Sequence, residues 1–92
     1  MATYLMFGKY SLDSIRQISA KRTDETMAAI KQHGGTFKAG YALLGDTDLL
    51  LIVDLPGPEQ AMQVSAALAK LLGVSFRTAP AVSVEEFDKL MG

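Results

Sequence analysis

The chain predicts an α+β domain in which one antiparallel sheet of four strands carries helices on one face, in the order β-α-β-β-α-β, followed by a short C-terminal helix. Three observations predict it. In Tyr41–Pro58, two apolar runs flank a tight Gly45-Asp46-Thr47-Asp48 connection, so the two strands are antiparallel neighbours. That segment ends in Pro56-Gly57-Pro58, and Ala61, Val64, Leu68, Leu71 and Leu72 then recur at helical spacing before a further β-type run. At the N-terminus, a β-type run again leads into a helical pattern that stops at a Gly-Gly pair.

Each element has its own local reason. Ala2–Tyr10 is a β-type run built on Tyr4, Leu5, Met6 and Phe7, closed by Ser11. Ser11 suits a helix N-cap, and Asp13 falls in the first turn, where a negative charge complements the dipole. Leu12, Ile15 and Ile18 recur every third residue, the pattern stumbles at Ser19-Ala20-Lys21-Arg22, and Met27 and Ile30 resume it. This predicts a short helical turn, a break near Ser19 and a main helix ending at His33, with Gly34-Gly35 supplying the left-handed residue that ends helices. Strands are expected at Thr36–Leu44 and Leu49–Leu55. Pro58 suits the first position of the next helix, and Gly73 closes it. A fourth strand is expected over Val74–Thr78, broken by Pro80. Ser83-Val84-Glu85-Glu86 has the form of a capping box and starts a helix carrying Phe87, Leu90 and Met91. The order is that of the ferredoxin-like fold.

The hydrophobic pattern predicts more than the fold. In the first strand Tyr4 and Met6 lie on one face and Leu5 and Phe7 on the other, and Leu49–Val53 has no polar interruption. A sheet with one solvated face alternates apolar with polar residues, so both faces of this sheet are expected to be covered. Helices cover one, and a second subunit packed sheet on sheet is expected on the other, giving a homodimer or higher homo-oligomer. A hydrophobic fraction of 49% in only 92 residues points the same way.

Composition narrows the chemistry. Residues 1–92 make one domain with no room for a second core. The net charge of -1 offers no electrostatic footprint for nucleic acid or an anionic membrane, so neither is expected as a partner. No cysteine is present, which excludes disulfides, thiol nucleophiles and thiolate metal sites, and the single histidine makes a protein-only zinc site unexpected. No metal or cofactor is therefore expected. The N-terminus lacks the pattern of a signal peptide, and no apolar run approaches the ~20 residues of a membrane span. A cytoplasmic protein is the expectation.

The residues also resemble the GYD-domain family, small stand-alone proteins with the dimeric α/β-barrel form of the ferredoxin-like fold. The resemblance covers nearly the whole chain. It is carried by Lys9-Tyr10-Ser11, Arg22, His33-Gly34-Gly35, Tyr41-Ala42-Leu43-Leu44-Gly45, Asp48 before an apolar strand, and Ala81-Val82-Ser83-Val84-Glu85-Glu86-Phe87. The family's Gly-x-Tyr-Asp pattern falls on Gly45–Asp48, with Thr47 in place of the tyrosine. A Gly-x-x-Asp turn before an apolar strand is also similar to the ligand-sensing domains of Lrp/AsnC-type regulators. The family resemblance implies a fold and a dimer; it brings no catalytic residues.

Six residues stand out as candidates for ligand binding. His33 is the one acid–base candidate near neutral pH, in a position that also suits it to a helix C-terminus. Asp48 abuts a wholly apolar strand and, if buried, needs a partner such as Arg22 or Lys9. Arg22 sits at a helix start, against the dipole preference, which calls for a specific partner. Tyr10 and Tyr41 combine an apolar ring with a polar handle suited to lining a pocket, although core packing is their commoner use. Asp54 reads as a plain strand-end residue. No Gly-x-Ser-x-Gly elbow, triad context or phosphate-binding glycine loop occurs. The expectation is a homo-oligomeric small-molecule-binding module, sensory or accessory, without evident catalytic machinery. The alternative is a small cofactor-independent enzyme, monooxygenase- or isomerase-like, with a pocket in each protomer.

Overall fold

A computed structural model describes residues 1–92. Its elements are β1 (Ala2–Tyr10), α1 (Leu12–Arg16), α2 (Ala20–Gln32), β2 (Thr36–Ala42), β3 (Leu49–Leu55), α3 (Pro58–Leu72), β4 (Val74–Ala81) and α4 (Val84–Met91). The strands form one sheet in the order β2-β3-β1-β4, antiparallel throughout. This is the ferredoxin-like arrangement expected from the sequence. No helix is long and apolar enough to cross a membrane.

The breaks between elements follow residue chemistry. Ser11 caps α1, accepting from the Ser14 N–H at 3.1 Å, and Ser19 caps α2, accepting from the Arg22 N–H at 3.3 Å. The stumble at Ser19 is thus a second N-cap. At the other end of α2, Gly34 takes the left-handed conformation (φ 80), and Gly34 and Gly35 donate to the carbonyls of Lys31 and Ile30 at 3.0 Å each. That pair of bonds is a Schellman motif. Gly35 must also be glycine for space, because a Cβ there would lie 2.8 Å from the Asp54 carbonyl oxygen.

Two boundaries differ from expectation. β2 ends at Ala42 rather than Leu44, and Leu44 is wholly exposed. β4 runs through Pro80 to Ala81 instead of breaking there. It lies at the edge of the sheet, pairing only with β1, and a proline is tolerated on an edge strand, where an N–H can be lost without breaking a central ladder.

The core lies between the sheet and the helices. Tyr4 and Met6 of β1, Leu51, Val53 and Leu55 of β3 and Val74 of β4 meet Ile30 of α2 and Ala61, Val64, Leu68 and Leu72 of α3. The opposite face carries Leu5, Phe7, Leu50 and Ile52, all only half-buried. Asp54 also lies on this face. It is the next-to-last residue of β3, near the strand end as expected, and it accepts from Thr3 Oγ1 at 2.6 Å and pairs with Lys38 at 3.7 Å. Lys38 sits at an irregularity of the β2–β3 ladder, between Phe37 and Ala39.

Candidate functional site

One end of the helix-covered layer is not filled. A cavity of about 310 Å³ opens where the end of β1, the α1–α2 junction, the last turn of α3 and the β2–β3 pair converge. Its apolar walls are Ile18, Phe37, Leu49, Leu51 and Leu72, and its polar groups come from Tyr10, Ser14, Ser19, Arg22, Thr23 and Thr26. Gly40 faces the cavity opposite Leu51 without a side chain, and the Phe37 ring reaches over it, 2.9 Å from where a Cβ would sit. The volume falls at the lower end of small-molecule sites, which run from about 300 to 1,000 Å³.

Arg22 organises the polar side. Its Nη2 donates to the Leu72 carbonyl at 2.6 Å and its Nη1 to Gln17 Oε1 at 3.1 Å. The guanidinium at the start of α2 is therefore placed at the end of α3, where the free carbonyls and the negative dipole end attract a cation. This resolves its unfavourable position on its own helix, and its partner is a backbone carbonyl rather than Asp48. The third nitrogen, Nε, is buried with no partner. Ser14, 3% exposed, also lines the cavity, and its hydroxyl is likewise buried without a partner. These two groups are the buried side-chain polar atoms left unpaired in the molecule.

The six residues expected from the sequence separate into three places. Tyr10, Arg22 and Tyr41 line the cavity, with Tyr41 at its exposed rim. Lys9 and Asp48 brace the adjoining turn: Lys9 Nζ donates to the Asp46 carbonyl at 3.2 Å, and Asp48 Oδ2 accepts from the Tyr10 N–H at 3.0 Å. The Asp48 N–H donates to Gly8 O, and its carbonyl accepts from the Leu43 N–H, both at 2.9 Å. Asp48 is thus a strand-entry clamp whose carboxylate is used by the backbone. His33 lies at the far end of α2, where its Nδ1 sits 2.9 Å from the Ala29 carbonyl. A carbonyl only accepts, so this nitrogen carries the proton. The enzyme alternative thereby has its histidine outside the cavity.

A GYD-domain family model matches residues 4–91. The chain belongs to the GYD-domain family. No curated protein matches it. Among solved structures, it is similar to the leucine response regulatory protein LrpA of Mycobacterium tuberculosis, with a TM-score of 0.59 at 8% identity. That match covers 90% of this chain and 51% of the other, so the GYD domain spans about half the length of the regulator; at this identity the likeness shows the fold alone. The position of the family's tyrosine, Thr47 here, borders a shallow hollow with Phe7, Arg77 and Ala79 rather than the cavity. By their register, Phe7 and Arg77 belong to the open face of the sheet. The change at Thr47 thus alters that face and leaves the cavity wall untouched.

Ser14 is the site residue that sequence reasoning missed. It sits in a five-residue helix whose apolar side chains, Leu12 and Ile15, face outward, so the buried side of α1 is the polar one. Three-residue apolar spacing predicts the opposite side as buried. The available signal was the second serine of Ser11-Leu12-Asp13-Ser14, beyond what the capping role of the first requires.

Proposed function

We propose that this GYD domain is a homo-oligomeric module that binds a small molecule in the cavity at the start of α2, acting as a sensory or accessory unit. The cavity carries the reading. It is a concave, largely apolar site with few polar groups, the usual form of a small-molecule site, and its walls hold both orphaned polar atoms of the chain.

The open sheet face supports assembly. Leu5, Phe7, Leu50 and Ile52 form a continuous apolar centre across β1 and β3, and helices α1 to α3 lie on the other side. A second copy packed sheet on sheet removes this surface from water. Light scattering tests it: the expected mass is twice the 9.9 kDa chain or a higher multiple. Ile52→Glu, which places a charge at the centre of that face, is expected to yield a folded monomer. A monomeric wild type at micromolar concentration overturns the assembly. Thermal-shift screening with amino acids, organic anions and aromatic metabolites tests binding, and a library that stabilises nothing counts against the cavity's role.

A further inference from the structure

We infer that the cavity's ligand is a small monocarboxylic acid with an apolar body, its carboxylate held by Arg22 Nε and the Ser14 hydroxyl. This rests on the binding role proposed above and names the ligand class.

Charge decides the class first. Arg22 is the one Lys, Arg, Asp or Glu residue that lines the cavity, so the site carries a single positive charge with no carboxylate to balance it. A cationic ligand meets repulsion there. A neutral ligand leaves the guanidinium, already removed from water at Nε, without a counter-charge. A single negative charge matches it, and a dianion exceeds it.

Hydrogen bonding decides the group. The Leu72 carbonyl accepts from Nη2 and Gln17 from Nη1, while the single N–H of Nε is buried without an acceptor. Ser14 adds a hydroxyl with no partner at 3% exposure. Two buried donors without acceptors, beside one positive charge, correspond to the two oxygens and one negative charge of a carboxylate. The α2 helix begins at the same place with no acidic residue in its first turn, so its positive dipole end is uncompensated there. Phe37, Leu49, Leu51 and Leu72 then leave room for an apolar or aromatic body.

Access requires a wall to yield, because both donor atoms are shielded from solvent. The α1 turn is the wall held by the least apolar burial: Ser14 is its one buried residue, while Leu12 and Ile15 are 78% and 48% exposed. Its displacement by a fraction of an ångström loses little buried apolar area.

The test is an NMR and calorimetric titration of the full chain with phenylacetate and hexanoate and with their neutral amides. The expected result is saturable binding of the acids, with shifts at Tyr10, Phe37 and Leu51 and at least about tenfold weaker binding of the amides. Ser14→Ala and Arg22→Lys should each weaken the acids by about tenfold and the amides by less, since both lose a specific donor to the carboxylate while the lysine keeps the charge. Ser14→Ala removes no existing bond and is expected to fold. Amides that bind the cavity as well as acids overturn the acid assignment and leave the cavity's binding role standing. Acids that bind Ser14→Ala and Arg22→Lys undiminished place the carboxylate elsewhere and overturn it too. If neither acid nor amide perturbs the cavity, the binding role falls, and this inference with it.

Discussion

The two ends of α2 treat the same layer in opposite ways. At its C-terminal end, His33, Gly34 and Gly35 close the helix with their N–H groups donating to Ala29, Ile30 and Lys31, and the chain passes so close to β3 that Leu55 and the Asp54 carbonyl leave no room for a side chain at Gly35. At its N-terminal end, the helix meets a hollow whose lining residues Ser14 and Arg22 each hold a buried, unpaired donor. One chain can close-pack a helix end, so the open end is not a failure of packing in a small domain. Native interiors leave few buried polar groups unpaired, so two of them beside one hollow call for an explanation.

The largest effect that separates the two ends is expected at the closed one. Gly35→Ala brings a methyl group to 2.8 Å from the Asp54 carbonyl and 3.0 Å from Ile30 Cγ2. Backbone on one side and a fully buried isoleucine on the other leave it nowhere to go. The expected cost is about 2–3 kcal/mol, or about 10–20 °C in melting temperature. Calorimetry or circular dichroism at fixed protein concentration reads it. A variant that melts within about 3 °C of wild type shows that the closed end is looser than described.

At the hollow end the sign reverses. Ser14→Ala removes a hydroxyl that is buried and unbonded and replaces serine with a better helix former, so it is expected to raise stability by about 1 kcal/mol, or about 4–8 °C. A substitution that stabilises the empty protein while weakening acid binding is the signature of a group kept for a ligand. A destabilised Ser14→Ala instead assigns the hydroxyl to the fold.

How much of this contrast was readable beforehand depends on the range of the interactions. Leu49–Leu55 and Pro58–Leu72 were legible to the residue because their punctuation is local: a Gly-Asp turn, a proline at the first helical position and a closing glycine. The break near Ser19 was legible for the same reason, although its nature as a second N-cap was not. The extension of β4 through Pro80 was not, because it depends on which strand ends at the sheet's edge. Three of the six candidate residues, Tyr10, Arg22 and Tyr41, fall at the site. The contacts that define their roles, however, span large sequence distances, as with Arg22 and Leu72. No local pattern reports that a lone arginine at a helix start reaches the last carbonyl of another helix, or that its Nε is left over.

The smallest effect belongs to the residue whose chemistry drew most attention. His33 ends α2 half-buried, with one ring nitrogen bonded to a carbonyl of its own helix one turn back. That local bond is worth a few tenths of a kcal/mol, and a glutamine can supply the same donor. His33→Gln is therefore expected to change stability by less than about 0.5 kcal/mol and to leave acid binding unchanged. The measurement pairs a melting curve with a phenylacetate titration, and the second carries the weight. A loss of affinity without a loss of stability requires a connection between the ends of α2 through the Ile30 and Thr26 side of the helix, the side it buries. Unchanged affinity means that the closed end serves the fold and the hollow end the ligand, with the helix between them as a rigid spacer.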